Sequence, residues 1–270
     1  MKKIIFTFLI ASALSILISS CSKDNEGQPV ATKTYVIVPG AWSSASAWQA
    51  VAKDLSAAGN KVIVVELPGH GTDQTAPQSL TIDIYRDKVI SAMNSVDGKV
   101  ILVGHSMAGV VISEVAEKVP AKIEKLIYLA AFLPQTGQSL FDLASTDATS
   151  LLGSSLILAP GVPTVDVKHE NIINCFIADG TTAVQNALLA SFRVEPAPPF
   201  QNPVTLTKAN YGSVPKFYIK TLQDQTITPI LQKRMLANAG ISTTYQLNTS
   251  HSPFLSKPDS VAILLTAIAK

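Results

Sequence analysis

Short, unbroken apolar runs alternate with amphipathic stretches along most of the chain. Residues 34–38 (TYVIV) end at Pro39-Gly40, residues 61–66 (KVIVVE) close at Leu67-Pro68-Gly69-His70-Gly71, and Val100-Ile101-Leu102-Val103 runs straight into Gly104. Each run has the length of a strand, and apolar residues at successive rather than alternate positions mark a strand covered on both faces. Between the runs, residues 46–59 bring Trp48, Val51, Leu55 and Ala58 to one helical face before Gly59-Asn60, and residues 81–94 predict a second helix. Strand and helix alternating at this spacing predict an α/β fold: right-handed crossovers and a mostly parallel central sheet flanked by helices.

The third run carries the most informative turn. It leads through Gly104-His105-Ser106-Met107-Ala108-Gly109 into a helix-compatible stretch, a strand, an abrupt bend and a helix with Ser106 at the bend. A serine on such a turn needs small neighbours, because the backbone folds back on itself, and Gly104, Ala108 and Gly109 are small. The geometry lifts the hydroxyl above the sheet and aims the Met107 amide at any oxyanion formed there. The usual G-x-S-x-G spacing is altered, with Ala108 at the second glycine position.

Beyond this turn, residues 126–133 predict a strand stopping at Pro134. From about 135 to 214 the alternation fails: Gly and Pro recur, the helical run 182–192 is isolated, and Pro196-Ala197-Pro198-Pro199 reads as extended. This stretch is expected to be a cap inserted over the sheet's C-terminal edge, not a separate domain, because strand character resumes at 216–221. A helix over 229–239, a strand over 243–247, a loop bearing His251 and a final helix over 258–269 complete the chain.

The N-terminus changes the picture of where the protein works. Lys2 and Lys3 precede an apolar run over 4–18, followed by Ser19-Ser20-Cys21. Residues 1–20 are expected to be an export signal, and 18–21 resemble a bacterial lipobox with Cys21 as the acylated residue. Residues 21–32 would then be a polar, lipidated tether to a membrane, leaving 33–270 as the folded domain and making the protein an exported lipoprotein on the periplasmic or cell-surface side. Without residues 1–20, the 21 basic residues fall to 19, equal to the 19 acidic ones. Such a balance gives no reason to seek nucleic acid. Cys175 is the one cysteine left besides Cys21 and lies in an apolar run, so it is read as core. His70, His105, His169 and His251 have no metal-ligand spacing, and no metal or cofactor is expected.

In an open parallel sheet, the loops after the strands converge on one crevice. Ser106, Asp224, His251 and Gly40-Ala41 each follow a predicted strand, so four distant segments meet at one edge. Serine needs an imidazole to take its proton, and the imidazole needs a carboxylate to fix its tautomer. Ser106, Asp224 and His251 are therefore the candidate catalytic residues. Asp224 could alternatively cap the following helix. His105 diverges from the nucleophile on a tight turn and is read as a packing neighbour; His70 and His169 have no strand end to aim them.

The segment from Val38-Pro39-Gly40-Ala41-Trp42 to Trp48, the Ser106 turn, Ala131-Phe132-Leu133-Pro134, Tyr218-Ile219 with Asp224, Glu195-Pro196, and His251-Ser252-Pro253-Phe254 together resemble the α/β-hydrolase group of plant methylesterases, hydroxynitrile lyases and related bacterial esterases. The resemblance implies the α/β-hydrolase fold, a Ser-Asp-His triad in that chain order, and an oxyanion hole from the amides of Ala41 and Met107. It implies a serine hydrolase that cleaves small carboxylic esters through an acyl-enzyme, with a lactonase, an amidase or a small-molecule receptor as alternatives on the same fold. Pro39 stands where the group usually has histidine. The lyases carry threonine at the position of Gly40 and lysine at that of Ser252; without that cation to hold departing cyanide, ester hydrolysis is favoured.

Overall fold

A computed structural model describes residues 32–158 and 160–270. The expected signal, the tether up to residue 31 and Cys21 lie outside the described residues. Residues 32–270 form one compact unit.

In chain order the first half is β1 (Thr34–Val38), α1 (Gln49–Ala57), β2 (Lys61–Val64), α2 (Ile82–Asn94), β3 (Val100–His105), α3 (Ala108–Lys118) and β4 (Ile123–Leu129). The inserted segment holds α4 (Leu140–Ala144), α5 (Leu151–Ser155), β5 (Leu156–Leu158), β6 (Thr164–Val167), α6 (Ile172–Phe176), α7 (Thr182–Ser191) and β7 (Glu195–Pro196). The chain closes with β8 (Lys216–Thr221), α8 (Pro229–Ala239), β9 (Thr244–Leu247), α9 (Pro253–Ser256) and α10 (Pro258–Ala269). Six parallel strands pair in the order β2-β1-β3-β4-β8-β9.

Alternate residues of each strand enter opposite cores, which is why the strands are apolar throughout. Tyr35, Ile37, Ile101, Val103, Ile127 and Leu129 pack against α1 and α10 on one face. Val36, Val38, Leu102, Leu126 and Tyr128 pack against α2 and α3 on the other. β4 ends at Leu129, four residues before the predicted stop. Ala130 takes a φ of 44°, in the left-handed region where a strand cannot continue, and Ala131 to Leu133 stay buried as irregular chain.

The inserted cap has its own small sheet, β5-β6-β7, paired antiparallel. Pro196 to Pro199 is not extended throughout: β7 ends at Pro196 and residues Pro198–Gln201 turn into a 3-10 helix, where proline's fixed φ suits the first turn. Buried hydrogen bonds fasten the cap to the core. Thr228 donates its amide and hydroxyl to the Asp147 carboxylate at 2.9 and 2.7 Å, and Thr226 Oγ1 donates to the Cys175 carbonyl at 2.7 Å. Cys175 is fully buried, and burial pushes its thiol up to about 11, which suits a core residue and not a nucleophile.

Candidate active site

The Ser106 turn is tight because close approaches at two glycines leave no room for side chains. A Cβ on Gly104 would lie 2.8 Å from the Ala108 carbonyl oxygen, and one on Gly109 would lie 2.0 Å from that of Phe132. The glycine that G-x-S-x-G puts two residues after the serine is thus needed one residue later here, while Ala108 fits. The Phe132 amide donates to the Ser106 carbonyl at 3.1 Å, tying the turn to the chain after β4. Ser106 itself has a φ of 53°, a conformation held by its surroundings rather than by its own preference.

Asp224 and His251 are both buried, and the ring Nδ1–H donates to Asp224 Oδ2 at 2.8 Å. The carboxylate is held from several sides. Oδ1 accepts the amides of Thr226 and Ile227 at 2.8 and 2.9 Å, and Oδ2 accepts the Thr221 hydroxyl at 2.7 Å. A carboxylate with this many donors cannot rotate. Asp224 is not the cap of α8; the Thr228 side chain fills that position.

With Nδ1–H committed to Asp224, the second ring nitrogen of His251, Nε2, carries the lone pair. It is buried and has no hydrogen-bond partner among the described residues, so it is an acceptor held in reserve.

His105 holds this loop in place. Its Nε2–H donates to the His251 carbonyl at 3.0 Å, with ring centroids 4.6 Å apart. Burial, followed by the neighbouring His251, pushes its pKa well below the usual histidine value, so it is neutral. Phe254 stacks on Trp48 at 4.3 Å and meets the His105 ring edge-on at 4.8 Å. Trp48, His105 and Phe254 thus pack into one block of rings.

Ala41 and Met107 line, with Ser106, a cavity of about 40 Å³ walled further by Trp42 and Phe132 of the core and by cap residues including Leu140, Phe141, Leu152 and Phe200. Among the described residues, neither the Ala41 nor the Met107 amide donates a backbone hydrogen bond. A Cβ on Gly40 would lie 2.7 Å from Ser106 Cβ, so the backbone of the first turn passes directly beside the serine. Ala41, Met107 and Ser106 thus border one small space. Among the described residues no group of acidic, histidine or cysteine side chains could hold a metal ion.

One polar cluster beside the site was not expected. His70, in the loop after β2, is buried against Glu195 of β7, and Glu195 accepts the Trp42 amide. The glycines around His70 and the Glu195-Pro196 pair were visible in the sequence, but nothing in their spacing joins positions 125 residues apart.

Residues 35–263 match the alpha/beta hydrolase family. Putative methylesterase 11 of Arabidopsis thaliana is 30% identical over 88% of this chain and 64% of its own length, so the chain spans a little under two thirds of that relative. The alpha-hydroxynitrile lyase of the same plant is 29% identical over 87% of this chain and 96% of that protein. The crystal structure of a methylesterase from Arabidopsis superposes with a TM-score of 0.76 at 27% identity, covering 88% of this chain and 99% of that one.

Proposed function

The chain belongs to the alpha/beta hydrolase family, and from that premise we propose that it is a carboxylic ester hydrolase acting on small esters through an acyl-enzyme on Ser106. The observation that carries the reading is the Asp224–His251 hydrogen bond of 2.8 Å, which leaves the buried His251 Nε2 as an unused acceptor on the loop that His105, beside Ser106, holds. The similarity to plant methylesterases supports the substrate class. Ser252, uncharged directly after His251, supports hydrolysis over cyanide release.

In the proposed reaction Ser106 Oγ attacks the ester carbonyl while its proton passes to His251 Nε2. Asp224 steadies the imidazolium, and the amides of Ala41 and Met107 take the oxyanion. As the tetrahedral species collapses, the His251 proton goes to the departing alkoxide. Water, deprotonated by the same nitrogen, then releases the acid and restores Ser106. The small volume beside Ser106 favours a compact acyl group.

The test is labelling by a fluorophosphonate alongside hydrolysis of a chain-length series of methyl and aryl esters. The expected result is stoichiometric labelling and turnover that falls as the acyl chain lengthens. Labelling without turnover of any ester would overturn the reading in favour of a ligand receptor. From the sequence at 18–21 we also propose that Cys21 carries a lipid and tethers the enzyme to a membrane; Cys21→Ser should release it from the membrane fraction, and an unacylated mature N-terminus in the parent would refute the anchor.

A further inference from the structure

Trp42 has a φ of 54°, in the left-handed region that a large side chain avoids unless its surroundings impose it. The restraint comes from the cap. The Trp42 amide donates to Glu195 Oε2 at 2.7 Å, and the indole ring packs among Phe176, Phe192 and Phe200. Glu195 is itself fixed, being paired with Val165 across the small cap sheet.

The other carboxylate oxygen faces His70. Nε2 of that ring lies 2.9 Å from Glu195 Oε1, and Nδ1 lies 3.1 Å from the Pro68 carbonyl oxygen. A carbonyl can only accept, so Nδ1 donates to Pro68, and Nε2 lies against the Glu195 carboxyl as a buried ion pair whose charge depends on His70 being protonated. Glu195 is 1% exposed and His70 5%. An ion pair buried this deeply persists only with its remaining polar atoms satisfied, as they are here.

We propose that Glu195, held by His70, is a positioning residue that sets the Gly40-Ala41-Trp42 turn so that the Ala41 amide meets the oxyanion on Ser106. This rests on the serine-hydrolase reading. Ala41 immediately precedes the clamped amide, and Gly40 has no slack against Ser106. An oxyanion donor works within a few tenths of an ångström, so a turn that tilts loses rate without losing substrate affinity.

The charge state of His70 links the clamp to pH. The groups facing it are Glu195 from β7, Glu66 after β2, Asp73 on its own loop, the Tyr85 ring from α2 and Arg193, which donates to the Gly71 carbonyl. Burial, the largest single influence, pulls its pKa down, but Glu195, the Pro68 carbonyl and Glu66 together outweigh it and the net direction is up. The clamp is therefore complete below the ordinary histidine value and weakens as pH rises through the elevated one. The alkaline limb of the rate profile is therefore assigned to His70.

The experiment compares the parent with Glu195→Gln, Glu195→Ala and His70→Gln. Expected are a kcat lowered about tenfold in Glu195→Gln and further in Glu195→Ala, with KM within about twofold, and loss of the alkaline limb in His70→Gln. Folded Glu195 variants with parental kcat and an unchanged pH profile would overturn the proposal. If these variants do not fold, the parent still decides: the Trp42 amide resonance should shift with pH in step with the His70 ring, and an amide resonance indifferent to that titration overturns the clamp. A parent that neither labels with fluorophosphonate nor cleaves esters would sink the hydrolase reading while leaving the Trp42–His70 titration to stand or fall independently.

Discussion

On the core side of the cavity, Asp224 is gripped by two amides, a hydroxyl and an imidazole, and Ser106 sits on a backbone with no room for an added methyl group at Gly104 or Gly109. On the cap side, Leu140, Phe141 and Leu152 meet the same space through carbon atoms alone, on helices five residues long. The core side spends backbone strain and buried hydrogen bonds on placing a few polar atoms, as charge development in a reaction requires. The cap side offers shape. A hydrophobic wall can be resized by one side chain at a cost in selectivity, whereas the polar side cannot change without losing chemistry. Glu195 crosses this division, a buried polar residue of the cap that reaches into the core's first turn.

This contrast is broken most directly at Ser106. Ser106→Ala removes one hydroxyl from the core side and should lower kcat for a small methyl ester on the order of a millionfold, with the melting temperature nearly unchanged. Residual activity of a per cent or more would remove Ser106 from the mechanism. Asp224→Asn keeps the shape of the most tightly held residue but offers an amide where His251 needs a carboxylate. A loss of about ten-thousandfold in kcat, as in serine proteases, is expected, and near-normal turnover would show that another group orients the imidazole.

The cap side should respond in kind rather than in degree. Phe141→Ala widens the cavity and should move the preference toward longer acyl chains, changing the ratio of kcat/KM between a short and a long ester about tenfold while sparing the best rate. A uniform fall for all esters would mean that Phe141 supports the core instead.

The smallest effect sharpens the contrast through stability. His105, buried and neutral, has its native pKa pushed well below the unfolded value, first by burial and then by His251. Its stabilising contribution is whole above the unfolded value and is lost as pH falls from there toward the native one, by up to about 1.4 kcal/mol per pH unit. His70, raised instead, loses its contribution as pH rises. Urea unfolding at pH 7 and pH 5.5 should show a smaller pH-dependent loss in His105→Phe than in the parent; an equal loss would assign the acid sensitivity elsewhere.

The core side was legible because its signals are local. The apolar runs at 34–38 and 100–103, the small residues around Ser106, and proline and glycine at 39–40 each dictate a strand or a turn from neighbouring residues. A parallel sheet then brings all the following loops to one edge, so Ser106, Asp224 and His251 could be named as candidates without knowing the strand order. The order itself and the early end of β4 at a left-handed Ala130 required the packed chain.

The cap was legible only as an interruption. Its short helices and the two-residue β7 have too few periodic positions to announce themselves, and their form comes from contacts with a core already in place. Residue types and turn chemistry, which act over a few positions, were determined by the sequence itself. The meeting of His70, Glu195 and Trp42 was decided by tertiary structure, because an ion pair across 125 residues depends on how two separately formed surfaces come to rest against each other.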